Sequence, residues 1–177
     1  MGSGLKARMV RMVDNTMKPQ GFYSGISLND ATARREVMLL CAMADSEQLD
    51  SVLNALSPLP QIDDLRRPET GLVMMQGRMG GDGAAFNLGE ATVSRSAVRF
   101  ESVAGTVTGF AWHLGRDGAK ARKAAVIDAL WQDERRRSEV ADQLTTLRAE
   151  LAEQDARKAR QTAATRVDFF TMVRGED

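Results

Sequence analysis

The sequence predicts an α+β fold, an antiparallel β-meander packed against N-terminal and C-terminal helices, with a projecting C-terminal helix and an apolar tail. Three observations carry this. Apolar residues recur at three- and four-residue intervals before residue 57 and after residue 117, whereas residues 61–114 follow a period of two. The turns inside that middle stretch are too short for the dozen or more residues a parallel crossover needs. The closing run Thr165 to Gly175 carries two adjacent phenylalanines, although only six Phe occur in 177 residues. Chain ends are usually polar and loose unless tied down, so this one needs a surface.

Residues 1–28 mix Gly, Lys, Arg and Met without a sustained period, and Lys18-Pro19-Gln20-Gly21 breaks any helix begun there. They read as an extension with little structure of its own. Residues 29–177 read as one domain, with residues 138–177 forming its C-terminal helical arm and tail.

The first helix spans about Asp30 to Ala44, where Val37, Leu40, Cys41 and Ala44 form one apolar stripe. Asp45 or Ser46 then caps a short helix with Leu49, Val52, Leu53 and Leu56 on its inner face, stopped by Pro58 and Pro60. Both are one-sided, and the β-rich segment that follows is their natural platform. Gly71 to Met79 reads as a strand, Gly80-Gly81-Asp82-Gly83 as a tight turn, and Phe86 onward as the returning partner. Alternation continues through Glu90 to Arg95 and Ala97 to Glu101, and Val103-Ala104-Gly105 turns into Thr106 to Leu114, where Phe110, Trp112 and Leu114 share a face. Asp117 caps a helix striped by Ala124, Ile127, Leu130 and Trp131. After the charge run Asp133 to Arg137, Val140, Leu144, Leu147 and Leu151 start a helix that continues in alanine steps to Ala164. At 1.5 Å per residue it would reach roughly 40 Å, far enough to project past a small domain.

Composition removes several functions. Twenty-four basic residues balance 24 acidic ones, so no net field draws the chain to nucleic acid or to an anionic membrane. No run approaches the ~20 apolar residues of a membrane span, and the N-terminus lacks a continuous signal-type apolar core. The single Cys41 cannot form an internal disulfide and sits in an apolar helical stripe, which suits a reducing, cytoplasmic setting and a buried, inert thiol. With one His and one Cys, the usual zinc ligand sets are out of reach. A catalytic triad would rest on His113 alone, inside a strand. Trp112, Trp131, Phe169 and Phe170 are the few large anchors.

Candidate phosphate contacts come from arginine, whose planar fork gives two parallel bonds to an oxyanion. Arg116 precedes the Asp117 cap, where free amides of a helix start attract anions. A plain cap competes with that reading. Arg78 and Arg95 are the other two candidates. Arg135-Arg136-Arg137 is flanked by Asp133, Glu134 and Glu139 and reads as a solvated face.

Four segments, in order, resemble the PhnG family of the bacterial carbon–phosphorus lyase system: Glu69 to Val73; Arg78 to Gly81 through Gly89 to Val93 and Ala97 to Arg99; Gly115-Arg116-Asp117 through Ile127 to Leu130; and Arg166 to Gly175. The resemblance spans roughly Ala31 to Glu176. It implies a subunit that works with PhnI-like, PhnH-like and PhnJ-like partners, with PhnL assisting, as two copies per complex or a homodimer. The reaction it implies displaces adenine of MgATP by methylphosphonate, giving ribose 1-methylphosphonate 5-triphosphate. MgATP is then a substrate of the complex, and no cofactor is implied for this chain alone. Relatives carry histidine where Lys120 stands here, so no role passes to that position. The resemblance also turns the apolar ending into a docking element, through Arg166, Val167, Asp168, Phe169, Phe170, Thr171, Met172 and Arg174. Two other roles stay open, phosphate-binding arginines donated to a shared active site and an unrelated α+β homodimer with exchanged tails.

Overall fold

A computed structural model of the chain describes residues 31–80 and 82–165. The extension at residues 1–28 and the tail from Arg166 lie outside them. Seven elements follow in order: α1 (Ala31–Met43), α2 (Ser46–Ala55), β1 (Asp63–Arg78), β2 (Ala85–Ser102), β3 (Gly105–Leu114), α3 (Gly118–Gln132) and α4 (Arg137–Ala164). The strands form an antiparallel meander in the order β1-β2-β3, so the predicted α+β architecture holds.

Local chemistry sets the boundaries. Asp45 and Gln48 make a reciprocal capping box at α2, with the Asp45 carboxylate accepting from Gln48 N at 2.8 Å and Gln48 Oε1 accepting from Asp45 N at 3.0 Å. Asp117 caps α3 by accepting from Lys120 N at 2.8 Å. Strand β2 is one 18-residue strand rather than several short ones. Its break in alternation is absorbed at Gly89 (φ 150°), beside a register shift between Met75 and Gln76.

The core is organised around α3, which is buried on every side rather than along one stripe. The sheet lies against one side of it, and α1, α2 and α4 against the others. The first two helices therefore rest mainly on α3 and α4 and not on the sheet. The reason is size: Ala121, Ala124, Ala125 and Ala129 let neighbours approach α3 closely from all directions.

The sheet face against α3 is made of small residues. Gly109 and Ala111 of β3 meet α3 so tightly that a Cβ at Gly109 would fall 2.1 Å from the Ala125 carbonyl oxygen. Ser94 and Ser96 of β2 are buried on the same face, their hydroxyls donating to the carbonyls of Gly115 (2.8 Å) and Arg66 (3.1 Å). The large residues Phe110, Trp112 and Leu114 do share a face, but it is the outer one, and they are more than half exposed. Trp112 is thus a surface residue and not a core anchor, whereas Trp131 is 4 % exposed.

Asp128 ties three elements together. Fully buried, it accepts a two-bonded Arg34 guanidinium from α1 (2.8 and 2.7 Å), the Phe110 amide of β3 (2.9 Å) and Gln132 Nε2 (3.2 Å). The arginine run at the α3–α4 junction is also structural: Arg136 donates to Leu56 O at 2.6 Å and Arg137 to Trp131 O at 3.0 Å. It is partly buried and satisfies carbonyls at helix ends, so the solvated-face reading fails for these two residues.

Candidate functional site: a sheet that outruns its helices

The helical layer ends before the sheet does. The start of α3 abuts β1 at Pro68, where a Cβ on Gly118 would lie 2.9 Å from the proline Cβ. Strand β1 continues to Arg78 and β2 returns from Ala85. At about 3.3 Å per residue, the part from Leu72 to Arg78 is a two-stranded arm about 20 Å long. Leu72 and Met74 pair with Thr92 and Glu90 on the helix-side face, and Val73 and Met75 with Ala91 and Gly89 on the outer face. The tip carries Met79, which is 79 % exposed, and the returning strand adds Phe86 and Leu88. The predicted hairpin turn is closed by Gly83 N to Met79 O at 3.1 Å, with Gly80 at φ 66°.

The three arginines singled out in the sequence occupy separate places. Arg95 lies on the outer face, ion-paired with Glu69, which also accepts from Arg66 at 2.7 Å, and its guanidinium carbon sits 5.1 Å over the Trp112 ring. Those two guanidinium partners, Arg66 first, hold the exposed Glu69 carboxyl below its ordinary range. Arg78 donates to Gly83 O at 3.1 Å and staples the hairpin turn. Arg116 lines a hollow of about 460 Å³ on the strand ends, with Thr70, Gly71, Leu72 and Thr92. Its side chain has no partner among the described residues. The docking residues Arg166, Val167, Asp168, Phe169, Phe170, Thr171, Met172 and Arg174 lie outside the described residues.

The reactive side chains are turned inward. Cys41 is buried, and burial pushes its thiol up to about 12. His113 sits half-buried on the helix-side face, where burial and then Lys120 lower its pKa. Lys120 is itself buried, donating to Ala42 O at 2.8 Å, and burial lowers its pKa too. Among the described residues no group of His, Cys, Asp or Glu could hold a metal ion, and no helix is long and apolar enough to cross a membrane.

Along α4, Val140, Leu144, Leu147 and Leu151 pack inward, while Ala156, Ala159 and Ala163 are exposed. The last three turns of the helix stand clear of the rest, as the length of the helix anticipates.

The family profile described as phosphonate metabolism protein PhnG matches residues 32–175. The chain belongs to the PhnG family. A curated relative from Rhizobium meliloti (strain 1021), named alpha-D-ribose 1-methylphosphonate 5-triphosphate synthase subunit PhnG, is 51 % identical over 144 residues, covering 81 % of this chain and 90 % of the relative. The PhnG match includes both strands of the arm and the whole of α4. What the sequence did not single out is the arm's two-sided apolar surface, since single-sequence alternation marks one face of a strand as buried and cannot register that neither is.

Proposed function

We propose that this chain is the PhnG subunit of an alpha-D-ribose 1-methylphosphonate 5-triphosphate synthase, acting in cytoplasmic phosphonate catabolism. One observation carries the reading: 51 % identity to a synthase subunit along 90 % of that relative's length. The complex takes MgATP and methylphosphonate and releases adenine, with PhnI-like, PhnH-like and PhnJ-like chains as partners and PhnL assisting. Within it, this chain is structural rather than catalytic. Supporting that role are a thiol sealed inside, a histidine facing the helices, and apolar surface spent on the outside. The projecting half of α4 and the tail from Arg166 to Arg174 hold the catalytic partner.

The test is co-expression of the full chain with the PhnI-like, PhnH-like and PhnJ-like subunits, with and without the residues after Thr165. The reading expects co-purification and adenine release with the full chain and loss of both without the tail. A synthase that assembles and turns over without this chain would overturn it.

A second reading has its own observation, the unpartnered Arg116 in a hollow it shares with Thr70 and Thr92. In that case Arg116 lends its fork to a phosphate in a shared active site. Arg116→Ala should then assemble normally but lose turnover, and full turnover would exclude it.

A further inference from the structure

The arm poses a physical problem that the free chain does not solve. A two-stranded hairpin is at best marginally stable in water without a face to pack on. Here Leu72 (61 % exposed), Met74 (53 %) and Met75 (45 %) open on both sides of the same ribbon. Large exposed apolar patches of this kind mark interaction sites.

Gly71 at the root of the arm adds a second observation. A Cβ built there meets nothing within 4 Å, and its backbone is outside the left-handed region. Neither packing nor conformation within this chain therefore calls for glycine. Strand glycines also mark bulges, but the β1–β2 register runs unbroken from Glu69 to Met75, which leaves a place where another chain or a ligand comes close. On the outer face the missing side chain leaves a notch of about 260 Å³ walled by Val73, Val93, Arg95 and Trp112.

The chemistry of the notch narrows its occupant. The two charged groups that line it, Arg95 and Glu69, pair with each other, so it suits an uncharged, apolar side chain. Because Leu72 and Met74 open on one face, beside Thr92 and Glu90, and Val73 and Met75 on the other, an occupant that covers the apolar side chains of both must reach around the ribbon, which a flat surface cannot do. A relative of this chain is named as one subunit of a synthase, so on the reading proposed above the occupant is a different subunit, with a second copy of this chain as an outcome of the test.

We propose that the hairpin Leu72–Leu88 is an insertion arm that enters an apolar cleft of a different subunit of the synthase, with an uncharged side chain of that subunit seated over Gly71. This rests on the reading of the chain as a synthase subunit. It adds a second attachment independent of the tail.

The test is a size ladder at Gly71, with Ala, Val and Leu introduced into the full tagged chain and co-expressed with the PhnI-like, PhnH-like and PhnJ-like subunits. Each variant is also melted alone. Because the free chain has open space there and branched residues favour strands, its melting temperature should hold or rise. Recovery of the complex should fall stepwise with side-chain size, by at least tenfold at Gly71→Leu. A paired Leu72→Ser/Met74→Ser variant, polar at the helix-side face, should lose the complex to the same degree. Wild-type recovery for all four variants overturns the arm while leaving the synthase-subunit reading intact. A wild-type chain that joins no other subunit overturns both, and a homodimer dissociated by these variants overturns the choice of a different subunit.

Discussion

The two tryptophans sit in opposite circumstances. Trp131 closes the inside of the helical block at 4 % exposure, and Trp112 lies on the outer sheet face at 56 %, with Arg95 over its ring. Around Trp131 every contact is made by this chain: Asp128 is saturated by α1 and β3, the junction arginines close off helix carbonyls, and the small face of the sheet meets α3 at van der Waals distance. Around Trp112 and along the arm, the apolar surface is uncovered among the described residues. One region is closed on itself and the other keeps apolar surface uncovered, so on the proposed reading substitutions in the two should separate folding from partnership.

The largest break in the first half is Asp128→Ala. It leaves the Phe110 amide and Arg34 without their acceptor, and losing one partner of a buried pair costs several kcal/mol. Because Arg34 is 42 % exposed and can rehydrate, about 3–4 kcal/mol is expected, read as a shift of the denaturant midpoint. Leu144→Ala empties a fully buried site and should cost about 3 kcal/mol by the same measurement. Gly109→Ala drives a methyl into the backbone of α3 and should cost about 2–3 kcal/mol as overpacking.

His113 gives a smaller, pH-dependent effect. Its pKa is lowered in the folded chain by burial and then by Lys120, so the unfolded chain takes up the proton first as the pH falls. Stability should therefore decline as the pH drops from 7 through the ordinary histidine value near 6.5 and level off below the depressed one. His113→Gln should flatten thermal melts between pH 7 and 5. The smallest effect belongs to the other half: Leu72→Ala should change the stability of the free chain by no more than about 0.5 kcal/mol, because its side chain packs on little in this chain. A free-chain cost for Leu72→Ala like that of Leu144→Ala would erase the contrast between the regions.

Much of the helical half was legible in the sequence, because three- and four-residue spacing and capping residues such as Asp45 and Asp117 are local signals. The sheet's inner face was not, because a closely packed helix inverts the usual size rule. Large apolar residues ordinarily mark the inside, but a close helix selects small ones, so Gly109, Ala111, Ser94 and Ser96 face the core while Phe110 and Trp112 face out. The first part of β1 did not read as a strand, since Arg66-Arg67-Pro68 resembles a loop, and the proline sits on an edge strand where its missing amide costs no ladder bond. Of the candidate site, Arg116 keeps an open guanidinium, Arg95 and Arg78 have partners within the chain, and the tail residues lie beyond those described. The arm was invisible because apolar exposure on both faces is a property of what surrounds a strand and not of its own sequence.

The most direct measurement is backbone hydrogen exchange across the full chain, alone and within the co-purified synthase. The α3 amides should be equally slow in both states, while those of residues 72–88 should be fast in the free chain and protected on assembly. Equal exchange over residues 72–88 in the two states would contradict this.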